Sequence, residues 1–366
     1  MALESLLSPV SLGTLSLPNR VVMAPMTRLR APDGIATATM ADYYAQRAEA
    51  GLIITECTMV SDTSAAYINA PGIYADGFVA GWSNVTDAVH AAGGHIFLQL
   101  WHAGRVAHMS MMPGGQPPLA PSAIAGQGEL HTFTGKQPMS VPRAVTMEEI
   151  RGLARAFGKA AERAQRAGFD GVELHGAFGY LIDQFLRNGS NRRDDGYGGS
   201  PENRCRFLMA VLAEAQQIFG KNVGLKLSPA SHAHGMSDSD PEGLYAYLLT
   251  QLGEADLAYV HVMEPLTDDR ALGTSITDVA GFARKHYAGT LIANGGFAAD
   301  TADAAIHAGI ADLVSFGTPF IANPDLVHRM GRGAMLAEPD FGLVYGMPGS
   351  APERGYTDYP PMPACP

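Results

Sequence analysis

Cysteine is scarce in this sequence. Only Cys57, Cys205 and Cys365 occur among 366 residues, and none stands in a CxxC or CxxH spacing. Neither a zinc site nor an iron–sulfur cluster is therefore indicated, and so few thiols suit a reducing compartment. Charge is also sparse, at 17% of residues, and positive charge sparser still: 25 Lys and Arg face 36 Asp and Glu, for a formal net charge of -11. A phosphate backbone would be repelled on average, so nucleic acid is not expected as a partner, although a local pocket for one phosphate is compatible with that balance. No run of about 18 apolar residues suggests a membrane span. The first residues lack the basic flank and apolar centre of a signal segment. The expectation is a soluble cytoplasmic protein with no membrane partner.

Apolar residues, by contrast, are plentiful, at 46% with a mean hydropathy of +0.01. A chain of this length can bury a large core, in one large barrel or two ordinary domains. Short β-branched or aliphatic runs recur at Arg20–Ala24, Leu52–Glu56, Ile96–Leu100, Gly171–Leu174, Val223–Leu227, Tyr259–Val262, Thr290–Ala293 and Leu313–Phe316. Each is followed by a helical pattern, and near-continuous apolar strands alternating with helices imply a parallel sheet covered on both faces. Eight such units within about 300 residues predict an α/β fold, a closed (β/α)8 TIM barrel. No linker or change of composition divides the chain, so residues 1–366 read as one domain.

Two helices have clear ends. Thr146 caps the first, with Glu149 completing a capping box and Gly168 supplying the stop. Ile150, Leu153, Ala154, Phe157, Ala160, Ala161 and Ala164 form its apolar stripe. The second opens on Ser200-Pro201-Glu202, a cap, a first-turn proline and an acid near the positive end of the helix. Between the third strand and the Thr146 helix lies a Gly-, Pro- and Met-rich segment from Arg105 to Ala144. It is too long for an ordinary connection and reads as an excursion over one barrel face, the usual form of a lid.

The chemistry gathers at predicted strand ends. The run from Gly168 to Leu186 brings His175 to the end of the fourth strand and Tyr180 into the glycine-punctuated segment after it. An imidazole and a phenol held together there can bind an oxygen and deliver a proton; singly, each could equally be a core residue. Thr27, in Ala24-Pro25-Met26-Thr27-Arg28, offers a hydroxyl where proline stops the first strand, or simply terminates that strand. Gln99 carries a donor and an acceptor for an amide-like ring edge. Cys57 suits a small apolar filler, and His95 and His102 suit packing or surface positions. Lys226, within the fifth strand, must face the barrel or its mouth, and a lysine so placed could act as a Schiff-base nucleophile. The turns Ala293-Asn294-Gly295-Gly296-Phe297 and Phe316-Gly317-Thr318 lie after strands seven and eight, where barrels bind phosphate.

Several stretches together resemble the old yellow enzyme family of FMN-dependent ene-reductases. They are Leu17 to Arg28, Gln46 to Ala48 with Gly51 to Glu56, Leu98 to Arg105, the run through His175 and Tyr180, Tyr197 to Arg204, Ile321 to Leu326, and the tail Gly355 to Pro360. The resemblance covers essentially the whole chain in order. It implies FMN at the C-terminal mouth of the barrel, lined by Pro25, Met26, Thr27, Cys57, Gln99 and Lys226. Asn294, Gly295 and Gly296 with Phe316, Gly317 and Thr318 would hold its phosphate end. It further implies His175 as the anchor of a substrate oxygen, Tyr180 as proton donor, and Tyr67, Trp101, Tyr345 and Phe178 around the substrate. NADPH or NADH would reduce the flavin and give way to an activated alkene such as an enone, enal, maleimide or nitroalkene. Three positions depart from the family's pattern: Phe178 replaces an Asn or His, Lys226 an arginine, and Thr318 an arginine. The alternatives are a phosphate-binding barrel aldolase or isomerase using Lys226, and a flavin-binding protein with weak ene-reductase activity. Whether the chain is a monomer or a homo-oligomer stays open.

Overall fold

A computed structural model describes residues 3–346 and 349–363; Cys365 lies outside them. Eight parallel strands close into a barrel. They are β1 (Val21–Met23), β2 (Leu52–Ile54), β3 (Ile96–Trp101), β4 (Gly171–Gly176), β5 (Val223–Leu227), β6 (Tyr259–Met263), β7 (Leu291–Asn294) and β8 (Leu313–Phe316). The ring closes where β8 pairs with β1 and β3 with β4. The outer helices are α1 (Ala38–Ala45), α2 (Val79–Ala91), α3 (Met147–Arg166), α4 (Pro201–Phe219), α5 (Pro241–Leu252), α6 (Val279–His286), α7 (Ala299–His307) and α8 (Leu326–Arg332). Among the described residues, no helix is long and apolar enough to cross a membrane.

All eight expected strands are present; β5 and β8 keep their expected ends, and the ends of the others are corrected. β1 is shorter at both ends than Arg20–Ala24. β2 stops at Ile54 instead of Glu56, because the Glu56 amide leaves the ladder to donate to the Tyr44 hydroxyl at 3.0 Å. β4 runs on past Leu174, since His175 and Gly176 keep register with Lys226 and Leu227 of β5. β3 extends to Trp101 and β6 to Met263, while β7 is shifted by one, its ladder reaching Asn294 opposite Ser315. The capping box of α3 is formed: Glu149 donates its amide to Thr146 Oγ1 at 3.2 Å and accepts the Thr146 amide at 2.8 Å.

Strand side chains alternate between two faces, and this alternation grades the barrel from bottom to top. One phase, including Leu98, Leu100, Val172, Leu174, Leu225, Val260 and Val314, packs outward against the helices. The other phase fills the interior. At the bottom Val22, Leu52, Phe97, Tyr259, Ile292 and Leu313 form an apolar plug. Gly171 and Gly224 make room there: a Cβ on either would fall 2.3 Å from the Phe97 ring or 2.2 Å from that of Tyr259. Two residues further along the same phase come Gln99, Glu173, Lys226 and His261, and then His175 near the mouth. A hairpin that sequence reasoning missed, Val10–Leu12 with Leu15–Leu17, seals the bottom by inserting Leu12 and Leu17 into the plug.

The excursion after β3 has structure of its own, a hairpin of Glu129–Thr132 with Gly135–Pro138 and a parallel pair of Leu119–Ala120 with Arg143–Ala144. Its Leu130 and Met139 pack beside Trp101 and Tyr180, so the segment roofs one side of the mouth. Arg28 and Arg30 secure the tail. Arg28 donates to the carbonyls of Val344 at 2.9 Å and Gly355 at 2.7 Å. Arg30 donates to those of Leu343 and Arg354 at 3.1 and 2.9 Å. The Arg28 guanidinium also sits about 5 Å from the Tyr43 and Tyr356 ring centres, a cation–π arrangement that suits a buried arginine.

Candidate active site

Two adjoining cavities occupy the mouth. One, of about 140 Å³, is lined by Pro25, Thr27, Cys57, Gln99, His175, Phe178, Tyr180 and Lys226. The other, of about 370 Å³, runs past Pro25, Met26, Phe178 and Lys226 to Asn294, Gly295, Gly296, Phe316, Gly317 and Thr318. Pro25, Phe178 and Lys226 border both. The residues expected at one barrel end are thus brought together, while Trp101, Tyr67 and Tyr345 line neither cavity. Trp101 is fully buried with its ring stacked on Tyr67, the centroids 5.8 Å apart. Tyr345 is an exposed residue of the clasped tail.

His175 is neutral, and its tautomer follows from its contacts. Burial, reinforced by the nearby Lys226 ammonium, pushes the imidazole down to about 3. Its Nδ1 accepts the Ala177 amide at 3.3 Å, so the proton resides on Nε2, which is left as a donor. Tyr180 lies against the same ring, centroids 4.9 Å apart and nearly perpendicular. Trp101 flanks it at 5.2 Å and His234 at 6.0 Å. Burial raises the Tyr180 phenol well above its ordinary value, with Tyr67 and Cys57 adding to the effect. It is therefore protonated, and its hydroxyl shares a 2.7 Å hydrogen bond with that of Tyr67.

Phe178 adopts a left-handed backbone, with φ of 54°, a strained choice for a bulky side chain. Its amide donates to Ser228 Oγ at 2.8 Å, which helps hold that conformation. Its ring offers no donor to either cavity and lies 5.8 Å from Lys226 Nζ. Thr27 Oγ1 shares a 3.2 Å contact with Cys57 Sγ. Burial pushes the Cys57 thiol up to about 12, so it is a neutral wall residue. His102 is structural, as expected: its Nδ1 accepts the Gly104 amide at 3.0 Å and Nε2 meets Thr63 Oγ1 at 3.1 Å.

Beneath the cavities lies a polar floor whose anchors sequence reasoning missed. Glu173, wholly buried on β4, accepts from Gln99 Nε2 at 2.7 Å and from His261 Nδ1 at 2.8 Å. His261 Nε2 in turn meets Ser315 Oγ at 2.8 Å. Burial alone would raise the Glu173 carboxyl, but His261, Lys226 and Gln99 outweigh it and hold it low. Burial brings Lys226 down to about 8, partly offset by Glu173. Gln99 is thereby fixed with its amide nitrogen downward and its oxygen unengaged by the floor. The signal was present in the sequence: Glu173, Lys226 and His261 share the inward phase of their strands with Gln99.

On the opposite side the site is made of backbone. Gly295 and Gly296 have φ of 107° and 76°, a region L side chains avoid. A Cβ on Gly295 would lie 3.1 Å from Glu264 Cβ. The N–H groups of Gly296 and Gly317 donate to no acceptor among the described residues, and such free amides on tight turns suit a phosphate. The donor set fits FMN: free amides at one end, Gln99 and the Lys226 ammonium beside the junction of the cavities, and the Thr27 hydroxyl along the wall. Among the described residues, no group of three or more His, Cys, Asp or Glu is arranged to hold a metal ion.

Comparison with known proteins agrees with this geometry. The model of the NADH:flavin oxidoreductase / NADH oxidase family matches residues 5–336. A probable flavin mononucleotide-dependent alkene reductase of Leishmania infantum is 42% identical, over 99% of this chain and 98% of that protein. The solved structure of morphinone reductase in complex with tetrahydroNAD superposes with a TM-score of 0.92 at 45% identity, covering 98% of each chain. That of the old yellow enzyme homologue from Zymomonas mobilis does so with a TM-score of 0.91 at 41% identity, covering 97% of this chain and 99% of that one.

Proposed function

From this chain's membership of the NADH:flavin oxidoreductase / NADH oxidase family, the old yellow enzyme family, and hence its nature as an FMN-dependent oxidoreductase, we propose that it reduces activated alkenes (enones, enals, maleimides or nitroalkenes) in a ping-pong cycle. FMN, when bound, would supply hydride chemistry, with NADPH or NADH as the reductant and the β-carbon of the alkene as the acceptor. The protein's own residues do the rest. His175 donates from Nε2 to the carbonyl or nitro oxygen, and a fixed donor in a water-poor cavity stabilises the negative charge that gathers there. Tyr180 gives its phenolic proton to the α-carbon. Gln99, Lys226 and Thr27 hold and tune the ring of the cofactor, while Gly295, Gly296, Gly317 and Thr318 hold its phosphate. Trp101, Tyr67 and Tyr345 back the substrate pocket. Phe178 leaves the oxygen anchor with one hydrogen-bond donor instead of two.

The observation that carries this reading is that His175 and Tyr180 face one cavity with ring centres 4.9 Å apart. A redox reading, with no Schiff base on Lys226, follows from the family. In the test, the purified protein is yellow, loses its flavin colour anaerobically with NADPH, and regains it when cyclohexenone is added. Bleaching without recovery by any activated alkene would favour a flavin-binding protein that lacks ene-reductase activity.

A further inference from the structure

Tyr180 is enclosed by Trp101, His175 and His234, and the one hydrogen bond of its hydroxyl among the described residues goes to Tyr67. A donor that gives up its proton in such an enclosure leaves an anion where anions are costly. Tyr67 lies one step nearer solvent. It is half-buried, and the exposed Tyr345 is close enough to interact electrostatically with both phenols. Burial raises both phenols, so each is protonated and each hydroxyl can donate to the other. Negative charge formed at the enclosed Tyr180 hydroxyl can therefore be relieved through its 2.7 Å hydrogen bond to the half-buried Tyr67.

We propose that Tyr67 is the second member of a two-phenol relay, handing its hydroxyl proton to Tyr180 Oη as Tyr180 protonates the substrate carbon. The inference rests on the reading of Tyr180 as proton donor. The balance is simple. The Tyr180 O–H bond breaks as the substrate C–H bond forms. The Tyr67 O–H bond breaks as the Tyr180 O–H bond is remade. A solvent proton, arriving beside Tyr345, restores Tyr67. One proton passes from water to product, and the relay itself changes no oxidation state; the alkene is reduced by the hydride from the prereduced flavin, which is oxidised in turn. Tyr67 touches no reacting atom in this scheme; it is a positioning residue that spreads the charge.

The test follows reoxidation of chemically prereduced holoenzyme by cyclohexenone, a poor alkene, in mixtures of light and heavy water. For the parent protein, the rate should fall with deuterium content along a curve that requires two protons in flight. Tyr67→Phe keeps the ring stacked on Trp101 and should retain the parent melting temperature and flavin content. It should slow this step roughly tenfold, the worth of about one hydrogen bond, and straighten the curve to that of one proton. Tyr67→Phe/Tyr180→Phe should be no slower than Tyr180→Phe alone, because a relay without its second half carries nothing. A one-proton line for the parent, or an unchanged curve and rate for Tyr67→Phe, would overturn the relay. If Tyr180→Phe itself reoxidises at the parent rate, the reading of Tyr180 as donor fails first. If Tyr180→Phe is slow and Tyr67→Phe is not, only the relay fails.

Discussion

The two sides of the barrel mouth are built from different parts of the chain. Around His175 and Tyr180 the site consists of side chains, each oriented by a partner distant in sequence: Tyr67 for Tyr180, Glu173 for Gln99, Ser228 for the backbone of Phe178. Around Gly295, Gly296 and Gly317 it consists of backbone, and the turn at Gly295 and Gly296 is one that only residues without a side chain adopt comfortably. In the proposed reading the first side chooses among substrates by which atoms it presents, and the second recognises a group common to many cofactors by leaving amides free. Substitution therefore acts differently on the two: on the first through lost chemistry, on the second through lost shape.

The largest effect that would sharpen this contrast is expected at Tyr180. Tyr180→Phe should slow alkene reduction by roughly 10²–10⁴-fold, with a far smaller change in flavin reduction by NADPH, measured as separate anaerobic half-reactions. Unaltered turnover of a poor alkene would take Tyr180 out of the chemistry. On the backbone side, Gly295→Ala should weaken FMN by about 10- to 100-fold, in line with roughly 1–3 kcal/mol for a residue forced into that conformation. Titration of apoprotein with FMN measures it, and an affinity equal to the parent's would break the contrast.

A smaller effect concerns the clasp behind the side-chain half. Glu56 accepts the Arg28 amide at 3.0 Å, its other oxygen has no hydrogen-bond partner among the described residues, and burial raises the carboxyl to about 7. A group whose pKa is raised on folding lends its full stability below its unfolded value and loses it as pH climbs through the folded one. The parent should therefore weaken between about pH 4.5 and 7 through this residue. Glu56→Gln should lack that slope, so that its melting temperature relative to the parent rises from pH 5 to pH 8. A constant difference would show that Glu56 does not titrate in this range.

The smallest effect is expected at Phe178. Asparagine tolerates a positive φ and restores a donor, so Phe178→Asn should bind a phenol roughly 2- to 12-fold more tightly, one hydrogen bond's worth. Flavin spectral titration reads it, and equal or looser binding would show that the phenyl ring costs the anchor nothing.

Much of this was legible in the sequence because strands and turns advertise themselves locally. The apolar runs marked every barrel strand, Thr146 and Glu149 marked a helix start, and paired glycines marked the turns after β7 and β8. What escaped was set by distance. Glu173 sits among apolar neighbours and gains its meaning from Gln99 on β3 and His261 on β6, which only the closed ring brings together. The Val10–Leu17 hairpin is too short to stand out and is stabilised by a plug whose members span the chain. The clasp of the tail by Arg28 and Arg30 is a set of arginine-to-carbonyl bonds, for which acceptor side chains leave no trace. Strand ends failed for a related reason: whether Glu56 continues a ladder depends on Tyr44, a residue of a different element.

The hairpin has a further consequence. With Leu12 and Leu17 stoppering the lower end among the described residues, the way to the barrel's centre is the mouth, where the two cavities meet at Pro25, Phe178 and Lys226. In the proposed cycle the two reactants share that mouth, and each would vacate before the other arrives. Excess alkene should therefore inhibit its own reduction by blocking the nicotinamide, and raising NADPH should relieve that inhibition. Traffic at the entrance, as much as chemistry at the centre, would then set the pace of turnover.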